Sequence, residues 1–302
     1  MNILLVAKRA SIKTTVALLL GLQLCHVAIT CANVATLSDN LSIYYQQSGS
    51  GSQVILFIPG WTMSSKVFEY QLKHFQNSTR YKAIAIDPRG QGLSTKADTG
   101  HTYAQRGRDL AAFIDQLNIN NIILVGWSFG TLDMLSYINQ FGISNVKAMM
   151  ILDGSPKTMG QTLNNAWVWI DQADSNGDRQ MITEGMLTNA RKTIGGFVRW
   201  MLENPSQQNV EVMTDIALQT PAMIAALTNE TASYANYEET LKSLNTKIPI
   251  YLFVREQWAE PVGIWRQKHL PSAKFSHMGK HLMFWERPDE FNQYLDAFLN
   301  EL

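Results

Sequence analysis

The chain has 302 residues, of which 46% are hydrophobic and 17% charged, and its 25 basic and 25 acidic residues leave no net charge. That balance offers no basic surface to attract nucleic acid and no acidic tail. The length suits one large α/β domain, or a core domain carrying an inserted cap.

The N-terminus reads as a targeting segment. Lys8, Arg9 and Lys13 precede an apolar run from Thr15 to Leu24, which continues through Val27, Ala28 and Ile29; small residues follow at Thr30, Cys31, Ala32 and Ala35. This is the order of regions in a secretory signal peptide. The run falls short of the roughly 20 apolar residues that a spanning helix needs. Residues 1–32 are therefore expected to be a leader, cut after Ala32 or Ala35. The mature protein is expected in the periplasm or outside the cell. The alternatives are an uncleaved membrane anchor or a lipid on Cys31. Both cysteines, Cys25 and Cys31, fall within this segment. A mature chain would then hold no disulfide and no cysteine metal site.

The segments Leu41 to Gln46 and Gln53 to Ile58 are separated by a turn-rich stretch at 47–52, which predicts an antiparallel hairpin. Strands and helices then alternate: a helix over Lys66–Phe75, a strand at Ala83–Ile86, a helix over Tyr103–Leu117, a strand at Ile122–Val125, a helix over Thr131–Gln140 and a strand at Val146–Leu152. Apolar strands alternating with amphipathic helices predict a mostly parallel, doubly wound sheet covered on both faces. From Ser155 to Thr246 the strand signal stops. Helices are expected at Asn164–Asp171, Arg191–Leu202, Asn209–Gln219, Ala222–Leu227 and Tyr237–Leu244, punctuated by Pro205, Pro221 and an Asn176-Gly177 turn. The alternation resumes with a strand at Ile250–Val254, a helix over Val262–His269, a strand at Lys274–His277 and a helix over Asp289–Leu299. The reading is a core of residues 33–154 and 247–302 with a helical cap, residues 155–246, inserted between two strands. Trp167, Trp169, Phe197, Trp200, Met201 and Met213 give the cap an apolar face.

The chemistry centres on Gly126-Trp127-Ser128-Phe129-Gly130, set between an apolar strand and a helix. G-x-S-x-G in that setting is a nucleophile elbow: a sharp turn lifts the serine clear of the sheet, and the flanking glycines avoid clashes with neighbouring backbone. The Phe129 N–H opens the following helix, where amides are free and the dipole favours negative charge. A serine hydroxyl needs a base. His281, just beyond the last predicted strand in Gly279-Lys280-His281-Leu282-Met283-Phe284-Trp285-Glu286-Arg287-Pro288, is at the right end of the sheet. His74 and His101 read as surface residues, and His277 is the weaker competitor. Pro59-Gly60-Trp61 ends the first parallel strand, so the Trp61 N–H can face that of Phe129 across a developing alkoxide. The loop Asp87-Pro88-Arg89-Gly90-Gln91-Gly92-Leu93-Ser94 reads as a brace beneath the site.

Taken in order, P-G-W, D-P-R-G-Q-G-L-S, G-W-S-F-G and G-K-H-L-M-F-W-E-R-P resemble the α/β-hydrolase family over nearly all of the mature chain. The resemblance implies a Ser-His-acid triad and an oxyanion hole of two amides, here Trp61 and Phe129. The chain departs from the family twice. Pro59 stands where members usually have His. The strand at Ile250–Val254 is usually followed by the acid, but here Arg255-Glu256-Gln257-Trp258 follows. Two acids remain: Asp153, which ends the strand before the cap, and Glu256. Some chloroperoxidase-like hydrolases and cofactor-free quinolone dioxygenases look like users of the Asp153 site. Asp153 is the favoured reading, with Glu256 the alternative.

The chain contains no Walker motif, no H-E-x-x-H and no G-x-G-x-x-G after its first strand. No metal or organic cofactor is expected. The function expected is an exported serine hydrolase acting on a small to medium apolar ester or lactone, with Trp61 and Trp127 lining the pocket. The partner is that small molecule, with no nucleic acid and no membrane beyond an N-terminal anchor; the oligomeric state is left open. The rivals are a cofactor-free dioxygenase using a His-Asp pair, and a non-catalytic binding protein on the same scaffold.

Overall fold

The computed structural model describes residues 31–38, 40–160, 167–171 and 175–302. The leader up to residue 30 lies outside the described residues.

One eight-stranded sheet has the order β1-β2-β4-β3-β5-β6-β9-β10. Its strands are β1 (Cys31–Ser38), β2 (Leu41–Ser48), β3 (Gln53–Ile58), β4 (Tyr81–Ile86), β5 (Ile122–Trp127), β6 (Val146–Leu152), β9 (Ile250–Val254) and β10 (Lys274–His277). The pairings from β4 to β10 are parallel, whereas β1–β2 and β2–β4 are antiparallel. The predicted hairpin is thereby corrected. β2 turns back against β1 and pairs across to β4, while β3 lies inside the parallel sheet between β4 and β5. The polar turn at 47–52 signals a reversal but cannot say which strand receives the edge. Both expected cleavage points fall within β1. Ala35 on it is buried, so a cut after Ala35 would sever a strand already packed in the sheet.

The core helices are α1 (Glu69–His74), α2 (Tyr103–Gln116), α3 (Gly130–Phe141), α8 (Ala259–His269), α9 (Met283–Glu286) and α10 (Pro288–Asn300). Period-2 alternation sends Ile55 and Phe57 to one apolar layer, with Phe68, Trp127, Phe284 and Phe291. Leu56 and Ile58 go to the other, with Phe113, Met134, Leu135 and Trp265. Two buried faces explain why these strands read as unbroken apolar runs.

Between β6 and β9 come the short pair β7 (Met159–Gly160) and β8 (Ile170–Asp171), then α4 (Ser175–Met201), α5 (Gln207–Ala217), α6 (Ala222–Ala232) and α7 (Glu238–Lys242). Two expectations here are corrected. Residues 167–171 end in a strand rather than a helix, and Asn176-Gly177 lies inside α4 rather than in a turn. α4 bends instead at Asn189, whose backbone is non-helical at φ −153° and ψ 73°. Ile194, Val198, Met201, Val210 and Met213 join the same apolar cluster as β3 and β5, which fixes this block over one end of the sheet. Among the described residues no single helix is long and apolar enough to cross a membrane.

The elbow forces close approaches. A Cβ on Gly130 would stand 2.3 Å from the Ile58 carbonyl oxygen, a strand atom that cannot move aside. Gly130→Ala is therefore expected to destabilise the fold by about 1–3 kcal/mol. Urea denaturation should show a lower midpoint with an unchanged slope.

Candidate active site

Three non-glycine residues with positive φ stand at the C-terminal ends of neighbouring strands: Thr62 (φ 63°) after β3, Ser128 (φ 54°) after β5 and Asp153 (φ 43°) after β6. Such left-handed residues each cost on the order of 1–3 kcal/mol and cluster at functional sites. The Ser128 amide donates to the Leu152 carbonyl at 3.0 Å, which sets the serine beside the strand end that carries Asp153.

Asp153 is fully buried, and its Oδ2 lies 2.5 Å from His281 Nδ1. A buried carboxylate accepting from Nδ1 fixes the tautomer, so the lone pair sits on Nε2. Nε2 is itself buried and without a partner among the described residues. Trp127 holds the histidine loop against the elbow: its indole Nε1 donates to the His281 carbonyl at 3.0 Å, and its ring lies 5.0 Å from the imidazole. The loop is also tied to the end of α4, since the Leu282 amide donates to Met201.

Glu256 does not reach this histidine. Its carboxylate lies 2.8 Å from His277 Nδ1 at the surface, with side-chain exposures of 57% for the glutamate and 45% for the histidine. Of the two candidate acids, only Asp153 is brought to His281. His74 Nε2 lies 3.0 Å from the Asp296 carboxylate in a partly exposed hydrogen-bonded pair. His101 is buried rather than at the surface, with its Nε2 2.7 Å from the Ala97 carbonyl.

The 60–63 loop passes over the serine; a Cβ on Gly60 would meet the Ser128 Cβ at 2.7 Å. Among the described residues, neither the Trp61 nor the Phe129 backbone N–H donates to another backbone group. Gln91, from the glycine-rich loop after β4, donates to the Gly60 and Met63 carbonyls. Asp87 accepts from the Ser65 and Leu93 amides. The loop read as a brace is thus hydrogen-bonded to the turn that carries Trp61. The Trp61 indole donates to the Ala225 carbonyl of α6 at 2.8 Å, tying this turn to the cap.

Ser128 opens on a cleft of about 370 Å³ lined by Trp61, Phe129, Trp169, Met181, Ile182, Phe197, Trp200 and Asn229. Among the described residues no charged side chain lines it. Trp127 is absent from this lining; it is 1% exposed and packed against Phe68 and Phe284. The pocket role expected for Trp127 is corrected, because its side chain turns under the elbow into the core. Trp169 and Trp200 instead contact the imidazole, with ring centroids 5.2 and 5.4 Å away.

Sequence reasoning missed Arg255. Its guanidinium donates to Asp153 Oδ2 at 2.8 Å, and its backbone N–H donates to Oδ1 at 2.9 Å. Burial alone would raise the Asp153 pKa, but the Arg255 charge and the His281 hydrogen bond hold it below the ordinary carboxylate range. Burial pushes the His281 pKa down; Asp153 pulls it up and Arg255 pushes it down, with a net lowering. The signal for Arg255 was its position directly after a strand that neighbours the Asp153 strand. Asn229 and Trp258 had no local signal at all. Among the described residues no cluster of three or more His, Cys, Asp or Glu could hold a metal ion.

Residues 53–190 match the family described as alpha/beta hydrolase fold, a span that includes Trp61, Ser128, Phe129 and Asp153 but not Arg255 or His281. A non-heme haloperoxidase of Rhodococcus erythropolis is 33% identical over 130 residues, 43% of this chain and 47% of that protein. The bifunctional esterase/perhydrolase DCH of Acinetobacter calcoaceticus is 28% identical over 131 residues, 43% of this chain and 47% of that one. The matched segment spans about half the length of these curated relatives. A bromoperoxidase from Bacillus anthracis superposes with a TM-score of 0.80 at 21% identity, covering 89% of this chain and all of the other. The sheet order, the strained serine at its centre and these likenesses agree, and the chain has the alpha/beta hydrolase fold.

Proposed function

We propose that the protein is an exported serine hydrolase that cleaves small to medium apolar esters or lactones through an acyl-enzyme on Ser128. The observation that carries this reading is the buried Asp153–His281 hydrogen bond, packed against Trp127 next to the strained Ser128, with imidazole Nε2 lacking a partner among the described residues. In the first step Ser128 Oγ bonds to the carbonyl carbon while its proton passes to His281 Nε2. The negative charge formed on the carbonyl oxygen is held by the Trp61 and Phe129 amides. Collapse breaks the bond to the leaving alkoxide, which takes the proton from His281. Water then repeats the sequence and frees the acid and Ser128. Export rests on the N-terminal segment alone.

A cleft whose described lining is apolar and uncharged supports a neutral substrate. Among the described lining residues a buried carboxylate would find no cation, and the nearby Arg255 is already paired to Asp153. Among aryl and alkyl esters of matched size, those bearing a free carboxylate on the acyl group are expected to show kcat/KM at least about tenfold lower, equivalent to about 1.4 kcal/mol. Steady-state kinetics over such a panel checks this, and equal rates would remove the substrate assignment.

A second reading keeps the acyl-enzyme and changes the acceptor. The name of the Acinetobacter relative pairs esterase with perhydrolase. Hydrogen peroxide attacking the acyl-enzyme in place of water would release a peracid. Fluorophosphonate labelling of Ser128 supports either acceptor. Oxygen uptake with an ionisable aromatic substrate, without labelling, would favour the dioxygenase rival, and neither labelling nor turnover would favour a binding protein.

A further inference from the structure

Asp153 is gripped from two directions. His281 Nδ1 and Arg255 Nη1 share its Oδ2, at 2.5 and 2.8 Å, while the Arg255 amide takes Oδ1 at 2.9 Å. The guanidinium is 8% exposed and sits against three indoles, with its central carbon 3.6 Å from the Trp258 ring centroid, 4.9 Å from Trp169 and 5.2 Å from Trp200. Two of those indoles, Trp169 and Trp200, also touch the imidazole and line the cleft. A planar cation stacked on aromatic faces and paired to a carboxylate is held far more rigidly than a lysine would be. The strand end where the resembled family usually places its acid thus supplies a cation.

We propose that Arg255 is a positioning residue for the Ser128 reaction: held by its tryptophan cage, it fixes the Asp153 carboxylate toward His281 and offsets part of the negative charge that the imidazole meets. The inference rests on the hydrolase reading given above. A lone buried carboxylate would strongly favour imidazolium and block the base at acidic pH. With Arg255 beside it, the pair is close to neutral, and His281 stays an unprotonated base below its ordinary titration range. The lowered pKa of His281 agrees with this arrangement. Among the described residues, Asp153 and Arg255 are the charged groups that act on the imidazole. Glu256 on the same loop is engaged by His277, and Glu203 and Arg287 flank Gly279 on the solvent side. Trp127, Trp169, Phe197 and Trp200 present aromatic rings to it.

The test compares the wild type with Arg255→Gln and Arg255→Lys. In Arg255→Gln the acid limb of kcat/KM is expected to rise by about one pH unit or more, equivalent to about a tenfold change in the protonation equilibrium. Arg255→Lys should restore most of the limb while keeping a lower kcat, because lysine cannot stack or fork. The His281 imidazole titration, followed by NMR in Ser128→Ala with and without Arg255→Gln, reads the same shift without turnover. That arm separates the two claims: an inactive wild type with a shifting imidazole would leave Arg255 standing and remove the hydrolase. If the limb and the imidazole stay in place while kcat and thermal stability fall together, Arg255 is only structural and the proposal is overturned. Should Arg255→Gln fail to fold, Trp258→Leu loosens the cage and is expected to move the limb the same way; an unmoved limb there overturns the proposal equally.

Discussion

Ser128→Ala is expected to lower kcat by about 10⁴- to 10⁶-fold on any ester the protein turns over, with substrate binding little changed. The size follows from the chemistry. Without Oγ there is no acyl-enzyme, and the residual rate comes from the oxyanion amides and binding alone. Folding should survive, because alanine meets the same φ of 54° without a larger side chain. Active-site titration with a fluorophosphonate, together with steady-state kinetics, checks the result. A Ser128→Ala variant that keeps its turnover and still takes the label would place the nucleophile elsewhere.

Asp153→Asn is expected to cost about 10⁴-fold in kcat. An amide at 153 can present N–H instead of oxygen to Nδ1, so the imidazole turns its proton toward Nε2 and ceases to be a base. The same change leaves Arg255 a buried cation without its carboxylate, which costs on the order of 3–5 kcal/mol. The kinetic and structural parts must therefore be separated by assaying well below the melting temperature and by confirming the near-UV spectrum. Glu256→Gln is the control: an exposed pair with His277 contributes about 0–1 kcal/mol, so kcat should stay within about twofold. The reverse ranking would make Glu256 the acid and require the loop after β9 to rearrange in solution.

The elements of the sheet were legible because strands buried on both faces, such as Ile122–Trp127, read as apolar runs bounded by turns. Pairing was less legible. The turn at 47–52 announces a chain reversal, yet β2 meets β1 and β4, strands that lie on either side of it in the sequence. The cap was legible as helical but not in detail. Asn176-Gly177 carries turn chemistry that a long helix overrides, and the bend falls at Asn189. Single-residue turn signals weigh about 1 kcal/mol, less than the burial of Ile194, Val198 and Met201 on that helix.

By itself the sequence determined the serine, its elbow, the histidine beyond the last strand and the strand–helix order of the sheet. These depend on local spacing: a glycine two residues on either side of Ser128, apolar runs of strand length, and a loop of fixed position in the chain. Only the tertiary structure decided which carboxylate meets the imidazole, because Asp153 and Glu256 follow adjacent parallel strands and nothing local says which one it reaches. It also moved Trp127 from the pocket to the core, and it brought Arg255, Trp169, Trp200 and Trp258 into one cage from segments up to 89 residues apart in number. Charge pairing and ring contact act over a few ångströms through space, and sequence distance does not record them.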